Sequence, residues 1–281
     1  MTVRYDRPPS LLASSARALV RRGSGAELPE AVAELPEVTV DRAHLARYAA
    51  VCGFPAAGPL PPTYPHVLAF PLALALMTRR DFPYRPLGLI HVANRITTRR
   101  PLAATEQLDL RVWLEGPRPH PRGTAFTIAT SVSAGGGEPA WEEASTYLRR
   151  ERRPTGGASE AEPAPRSPVD VDVEAEEAWR LPADTGRRYA AASGDRNPIH
   201  LYPWTARPFG FRRPIAHGMW TAARALAALG DALPTAATVD VTFRAAIPLP
   251  ATVRFTTGGT AFAVTSEDGT RPHLYGLVTP V

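Results

Sequence analysis

The sequence predicts an α+β fold built twice in tandem, each half a central helix wrapped by an antiparallel sheet. Three observations predict it. Short segments recur in the same order in the two halves of the chain. Each half holds one apolar or Ala-rich helical stretch. Each then runs into four strand-like segments separated by turn residues.

The repeat is visible by eye. RYAAVCGF at 47–54 matches RYAAASGD at 188–195, and PLAAT at 101–105 matches PLPAT at 248–252. Between these anchors lie His66 and His217, each near the start of an apolar helical stretch, roughly Tyr64 to Met77 and Gly218 to Leu229. Single matches in so Ala-rich a chain carry little weight, but three in order point to duplication. Residues 151–168 read ERRPTGGASEAEPAPRSP, rich in Pro, Gly and charge with little to bury, and are taken as a linker. The expected units are therefore 1–150 and 169–281.

The order expected in each half is helix, helix, then a meander of strands. In the first half the strands are 88–97, 107–114, 124–132 and 143–149; in the second, 238–244, 252–257, 261–265 and 273–278. Alternation is clear in LDLRVWL and TVDVTF, and Asp268-Gly269 is a hairpin signal. WTAARALAAL is small-sided enough to lie close under a sheet.

Composition narrows the function classes. The 281 residues are 44% hydrophobic, yet no apolar run reaches the roughly 18 residues of a membrane span. The apolar piece from Ser10 to Val20 is interrupted by Arg17 and lacks a cleavage pattern, so no secretory signal is expected. One cysteine, Cys52, excludes an intrachain disulfide framework and suits a reducing cytoplasm. The net charge is +5, but every basic residue is Arg and the arginines are dispersed, so nucleic acid is not the expected partner. The field instead suits an anionic ligand.

Chemistry concentrates in YAAASGDRNPIHLYPWTARPFGFRRPIAHGMW, residues 189–220. A helix from about Asp184 should stop at Gly194. Asp195 then opens a loop, Asn197 and Pro198 restart the chain as N-cap and first helical residue, and His200 sits in that new turn. A carboxylate and an imidazole held at that spacing can share one water as a general acid/base device. Gly218 opens the Ala-rich helix, where unpaired amides and the helix dipole favour a developing oxyanion, and its missing side chain admits a carbonyl. His217 reads as a structural residue bonded to backbone.

The run SGDRNPIH followed by RPIAHGM resembles the motif of MaoC-like dehydratases, the (R)-specific enoyl-thioester hydratases. The resemblance implies the hot-dog fold, here a double hot dog, and a reversible hydration of trans-2-enoyl thioesters carried on coenzyme A or acyl carrier protein. It implies Asp195 and His200 as the water-activating pair, Gly218 as the donor to the thioester carbonyl, and no metal or other cofactor. Asn197 is expected to brace the loop, and Arg207, Arg212 and Arg213 are candidates for carrier phosphates. A homodimer is compatible with it. One departure is that the helix continues as AARALAAL, without the Ser or Thr that related enzymes place near the site.

Aligning the halves sets Phe54 opposite Asp195 and Val67 opposite Gly218, and the first half lacks about ten residues where His200 would stand. It is expected to be a catalytically silent, degenerate unit that shapes an acyl-tail site near Leu68 and Leu72. His44 and His66 are read as ordinary, Cys52 as a small core residue. The competing functions are a non-catalytic acyl-thioester-binding subunit and a hot-dog thioesterase. The intact Asp195/His200 pair opposes the first; the absence of Asp or Glu from both central helices opposes the second.

Overall fold

A computed structural model describes residues 1–20, 27–151 and 173–281. All of the expected linker except Glu151 lies outside these described residues. The first half comprises β1 (Thr2–Arg4), α1 (Leu11–Val20), β2 (Val32–Thr39), α2 (Arg42–Cys52), α3 (Tyr64–Met77), β3 (Leu89–Thr98), β4 (Gln107–His120), β5 (Gly123–Ala134) and β6 (Trp141–Arg150). The second comprises β7 (Ala175–Leu181), α4 (Thr185–Ser193), α5 (Pro203–Ala206), α6 (Gly218–Leu229), β8 (Ala237–Phe243), β9 (Ala251–Gly258), β10 (Ala261–Ser266) and β11 (Pro272–Pro280).

The strands form one sheet in the order β1-β2-β4-β5-β6-β3-β8-β11-β10-β9-β7. Its two sides follow one plan: β2-β4-β5-β6-β3 in the first half, β7-β9-β10-β11-β8 in the second. The duplication read from short matches is thus a duplication of topology. The halves join where β3 pairs antiparallel with β8, from Ala93↔Thr242 to Thr98↔Ala237. Their helices also meet. Tyr48 and Tyr189, equivalent in the repeat, are both buried with ring centroids 6.1 Å apart, and the Trp220 indole donates to the Val51 carbonyl at 3.0 Å.

The eight expected strands and both central helices are present. The expected order is corrected: the first half begins with β1 and α1, and the helix pair of each half is preceded by a strand, β2 or β7. Neither advertises itself. β2 carries a bulge between Leu35 and Val38, with Glu37 at φ 56°, so its alternation breaks. β7 is an edge strand that exposes its first four residues. Both nonetheless pair along their length, with β4 and β9 respectively.

The central helices pack against the sheet, α3 on β2, β4 and β5 and α6 on β10. In α3, Leu72 is fully buried and Leu74, Leu76 and Met77 nearly so; in α6, Ala222, Ala223 and Ala225 are completely buried, which lets the backbone lie close to the strands. The second half spends its extra chain between α4 and α6. There it inserts the short turn Pro198–His200, α5 and a further turn at Arg207–Phe209, while the first half passes from α2 to α3 directly. The site lies in this insertion.

Candidate active site

Asp195 follows α4 immediately. The helix ends on Gly194 with φ 78°, in the left-handed region that reverses the chain and releases Asp195 into the cavity. Asp195 Oδ1 accepts the Asn197 amide at 3.0 Å, and Asn197 Oδ1 accepts the Ile199 amide at 3.4 Å to cap the turn that carries His200. Asn197 therefore braces the loop, as its position in the sequence suggests.

His200 is fixed from the other side. Its Nδ1 lies 2.8 Å from the Ile215 carbonyl, which can only accept, so Nδ1 carries the proton and Nε2 keeps its lone pair. Ile215 is itself tied down by its amide bond to the Ile199 carbonyl and by a bridge to Pro248. His217, at the N-cap of α6, directs Nε2 to the Asp195 carbonyl oxygen at 3.0 Å and stands 3.8 Å from the Asp195 carboxylate. Its ring stacks on that of His200, centroids 3.6 Å apart and planes 23° apart. Ligand atoms of Asp195, His200 and His217 all lie within 4.8 Å of one another.

The electrostatics follow from burial. His217 is pushed down to about 3 by burial and then by the neighbouring His200. Burial also lowers His200, against the Asp195 charge and the Ile215 carbonyl. Burial alone would raise Asp195, but the two imidazoles and the Asn197 amide carry it below the usual carboxylate range. The resting site is a carboxylate, 34% of whose side chain stays open, beside two neutral rings. Two acceptors remain unused by the backbone, Asp195 Oδ2 and His200 Nε2. A water between them would donate to both, the ground state of general acid/base addition of water.

Gly218 is the first residue of α6, and the ring of Phe243 lies 3.0 Å from where a Cβ would be. Its amide belongs to the unpaired first turn of the helix. Arg207, Arg212 and Arg213 are all exposed on the insertion, and none of the described hydrogen bonds links them to Asp195 or His200. Thr221 turns its hydroxyl back to the His217 carbonyl at 3.1 Å.

Asp195 and Asn197 line a cavity together with Phe70, Leu74 and Met77 of α3 and Tyr147 of β6. The first half does face the site, but through Phe70, Leu74 and Met77 rather than the expected Leu68 and Leu72; Leu72 points into the core. Phe54 packs against the core. A larger groove of about 570 Å³ lies elsewhere, lined by Arg95, Arg118, Asp240 and Tyr275, and holds none of the candidate residues. His66, read as ordinary, lies with its Nδ1 2.8 Å from the buried Glu143 carboxylate, a contact the sequence reading did not anticipate. The two stand 77 residues apart. The one sequence signal was a carboxylate at an inward position of β6, in step with Trp141, Ser145 and Tyr147.

Known proteins match this arrangement. The profile of the MaoC like domain matches residues 159–266. The 3-hydroxyacyl-thioester dehydratase X of Mycobacterium tuberculosis is 38% identical over 247 residues, covering 85% of this chain and 87% of its own. The chain belongs to the MaoC-like dehydratase family. The crystal structure of HtdX from the same organism superposes with a TM-score of 0.75 at 35% identity, over 89% of this chain and all of that one. A MaoC-like dehydratase from Phytophthora capsici shares the fold, with a TM-score of 0.73 at 19% identity over 90% of this chain and 96% of that one. Membership agrees with the double hot dog seen here. Among the described residues of this MaoC-like chain, no helix is long and apolar enough to cross a membrane.

Two predictions follow from this packing. The His200 carbonyl lies 2.1 Å from where a Cβ on Gly186 would stand, so Gly186→Ala should shift the His200 turn while leaving α4 helical. Turnover should fall by about 10²-fold, the scale of a roughly 1 Å misplacement; a folded variant with wild-type turnover would show that the turn tolerates the shift. The second concerns acid. His91, His200 and His217 have folded values below their unfolded one, so their stabilisation is complete above about pH 6.5 and lost as pH falls toward the folded values. His66, raised in the fold, works the other way. The free energy of unfolding from denaturant titrations should therefore drop between pH 6.5 and 5, by up to about 1.4 kcal/mol per pH unit for each proton; a flat or rising profile would contradict the neutral buried rings.

Proposed function

We propose that the protein interconverts (R)-3-hydroxyacyl and trans-2-enoyl thioesters, carried on coenzyme A or acyl carrier protein, by loss or addition of water. The observation that carries this reading is the pair of free acceptors, Asp195 Oδ2 and His200 Nε2, each held by a backbone bond on its other atom. In hydration, a water donates to both. One of them takes a proton as the water oxygen bonds to C3, and the same assembly returns a proton to C2. Charge that gathers on the thioester oxygen is met by the Gly218 amide. Dehydration is the reverse.

No metal is assigned to this mechanism, and the ring geometry supports that. A zinc ion would have to lie about 2.0–2.1 Å from each nitrogen, along lone pairs that lie in the ring planes. Two rings stacked with centroids 3.6 Å apart and planes only 23° apart do not aim their lone pairs at one such point. Arg207, Arg212 and Arg213 are offered to the carrier phosphates. Phe70, Leu74 and Met77 are the proposed first-half wall of the acyl tail, where each buried CH₂ contributes about 0.8 kcal/mol. The reaction is placed in the cytoplasm, in keeping with the single buried thiol.

The test is turnover with chiral analysis. Purified protein should hydrate trans-2-enoyl thioesters to the R product, with activity unchanged in EDTA. Asp195→Asn and His200→Gln should each cost at least about 100-fold in kcat. An S product, no turnover on either carrier, or a folded variant with near-normal kcat would refute the assignment.

A further inference from the structure

Next to the first-half residues that line the cavity at Asp195 lies a buried polar set that the fold does not require. Along β6, Glu143, Ser145 and Tyr147 share one face, by the two-residue period of a strand. Asn94 of β3 pairs with Ser145, and His91 with Tyr147. Asn94 Nδ2 donates to Glu143 Oε1 at 2.6 Å and to Ser145 Oγ at 3.0 Å. His66, on the first turn of α3, donates Nδ1–H to the same carboxylate, 2.8 and 3.0 Å from its two oxygens. The Glu143 side chain is only 2% exposed.

Burying a carboxylate and an imidazole costs several kcal/mol unless pairing offsets it, so such a pair is weak evidence for stability. The repeat shows that the fold can do without it. The β8–β11 register sets Val241 opposite Gly276 where β3–β6 sets Asn94 opposite Ser145, and one step along it sets the fully buried Leu274 in the place of Glu143. His66 has its counterpart in His217, but the carboxylate and the amide that hold it are replaced by apolar residues at the corresponding sheet positions of the second half.

Its location ties it to the reaction. Tyr147 lines the cavity that holds Asp195, and so does Phe70, one turn along α3 from His66 with ring centroids 6.5 Å apart. Burial would lower His66, but the charge and hydrogen bond of Glu143, with the field of Asp195, raise it above the ordinary imidazole range. Asp195 responds to His66 in turn. Nδ1 is committed to Glu143. The ring keeps 14% of its surface open, and no described hydrogen bond uses Nε2.

We propose that His66 is a further substrate-contacting residue of this site: with its ring fixed by Glu143, Nε2–H donates a hydrogen bond to an oxygen of the bound 3-hydroxyacyl thioester from the wall opposite Asp195 and His200. Glu143 and Asn94 are positioning residues: they hold the ring, and the carboxylate favours the doubly protonated imidazolium, in which Nδ1–H is given to Glu143 and Nε2–H is left for the substrate. The first half then supplies a donor to the reaction as well as a tail wall, although it has no acid/base pair of its own. This inference rests on the dehydratase reading.

The experiment compares full-length wild type, His66→Phe, His66→Gln and Glu143→Gln on 3-hydroxybutyryl-CoA and crotonyl-CoA, with circular dichroism and thermal midpoints as the folding control. His66→Phe keeps the ring shape without a donor and should lose at least about tenfold in kcat/KM, the scale of a bond to a charged donor. His66→Gln keeps an N–H and should recover part of that loss. Glu143→Gln should lower kcat/KM with His66 intact. A folded His66→Phe within twofold of wild type would overturn the proposal and leave the pair structural. If His66→Phe does not fold, Glu143→Gln decides, and unchanged kcat/KM there overturns it equally. Wild type inactive on both substrates and on their acyl carrier protein counterparts would instead sink the dehydratase reading, and this inference with it.

Discussion

The site depends on the stack of His200 on His217, two neutral rings each tied to a backbone carbonyl. His217 holds the Asp195 carbonyl and so sets where α4 releases its loop; His200 holds Ile215 and so sets where the insertion returns to α6. With their N–H groups spent on backbone, both rings can be buried uncharged, and burial keeps them so. The carboxylate beside them stays ionised. A protonated stack would place two like charges within van der Waals contact in a site of low dielectric, which is why its neutrality and the loop geometry stand or fall together.

Duplication explains how the rest was free to change. Two copies of one topology share a sheet through β3 and β8, and the cavity at Asp195 is walled partly by the first half. Once only one copy kept the insertion between its first helix and its central helix, the two walls came under different demands. Phe70 and Tyr147 line the cavity at Asp195, with His66 and Glu143 next along the same helix and strand; the sheet positions corresponding to Glu143 and Asn94 in the second half carry Leu274 and Val241. Asymmetry in a fold this symmetric localises function more sharply than the fold itself does.

Much of this was legible in the sequence, for identifiable reasons. The late strands announce themselves by alternation and the central helices by unbroken apolar or alanine runs. Asp195, Asn197 and His200 are close in sequence and governed by local chain stops and caps, so spacing alone put them on one loop. β2 and β7 were missed because a bulge and an exposed edge erase the two-residue period. The His66–Glu143 pair was missed because it joins a helix to a strand across 77 residues, and only strand register shows that Glu143 faces inward. Leu72 and Leu74 look alike in an apolar run, and only packing shows that Leu74 lines the cavity at Asp195 while Leu72 is fully buried.

The central claim is that a single assembly on one face of the substrate handles both the water and the proton. Hydration of crotonyl-CoA in D₂O, with the relative configuration at C2 and C3 read by NMR, tests it most directly. With Asp195 and His200 delivering both, hydroxyl and deuterium must add to the same face, and the product should be the syn adduct alone. An anti adduct would require a proton donor on the opposite face and would contradict the account.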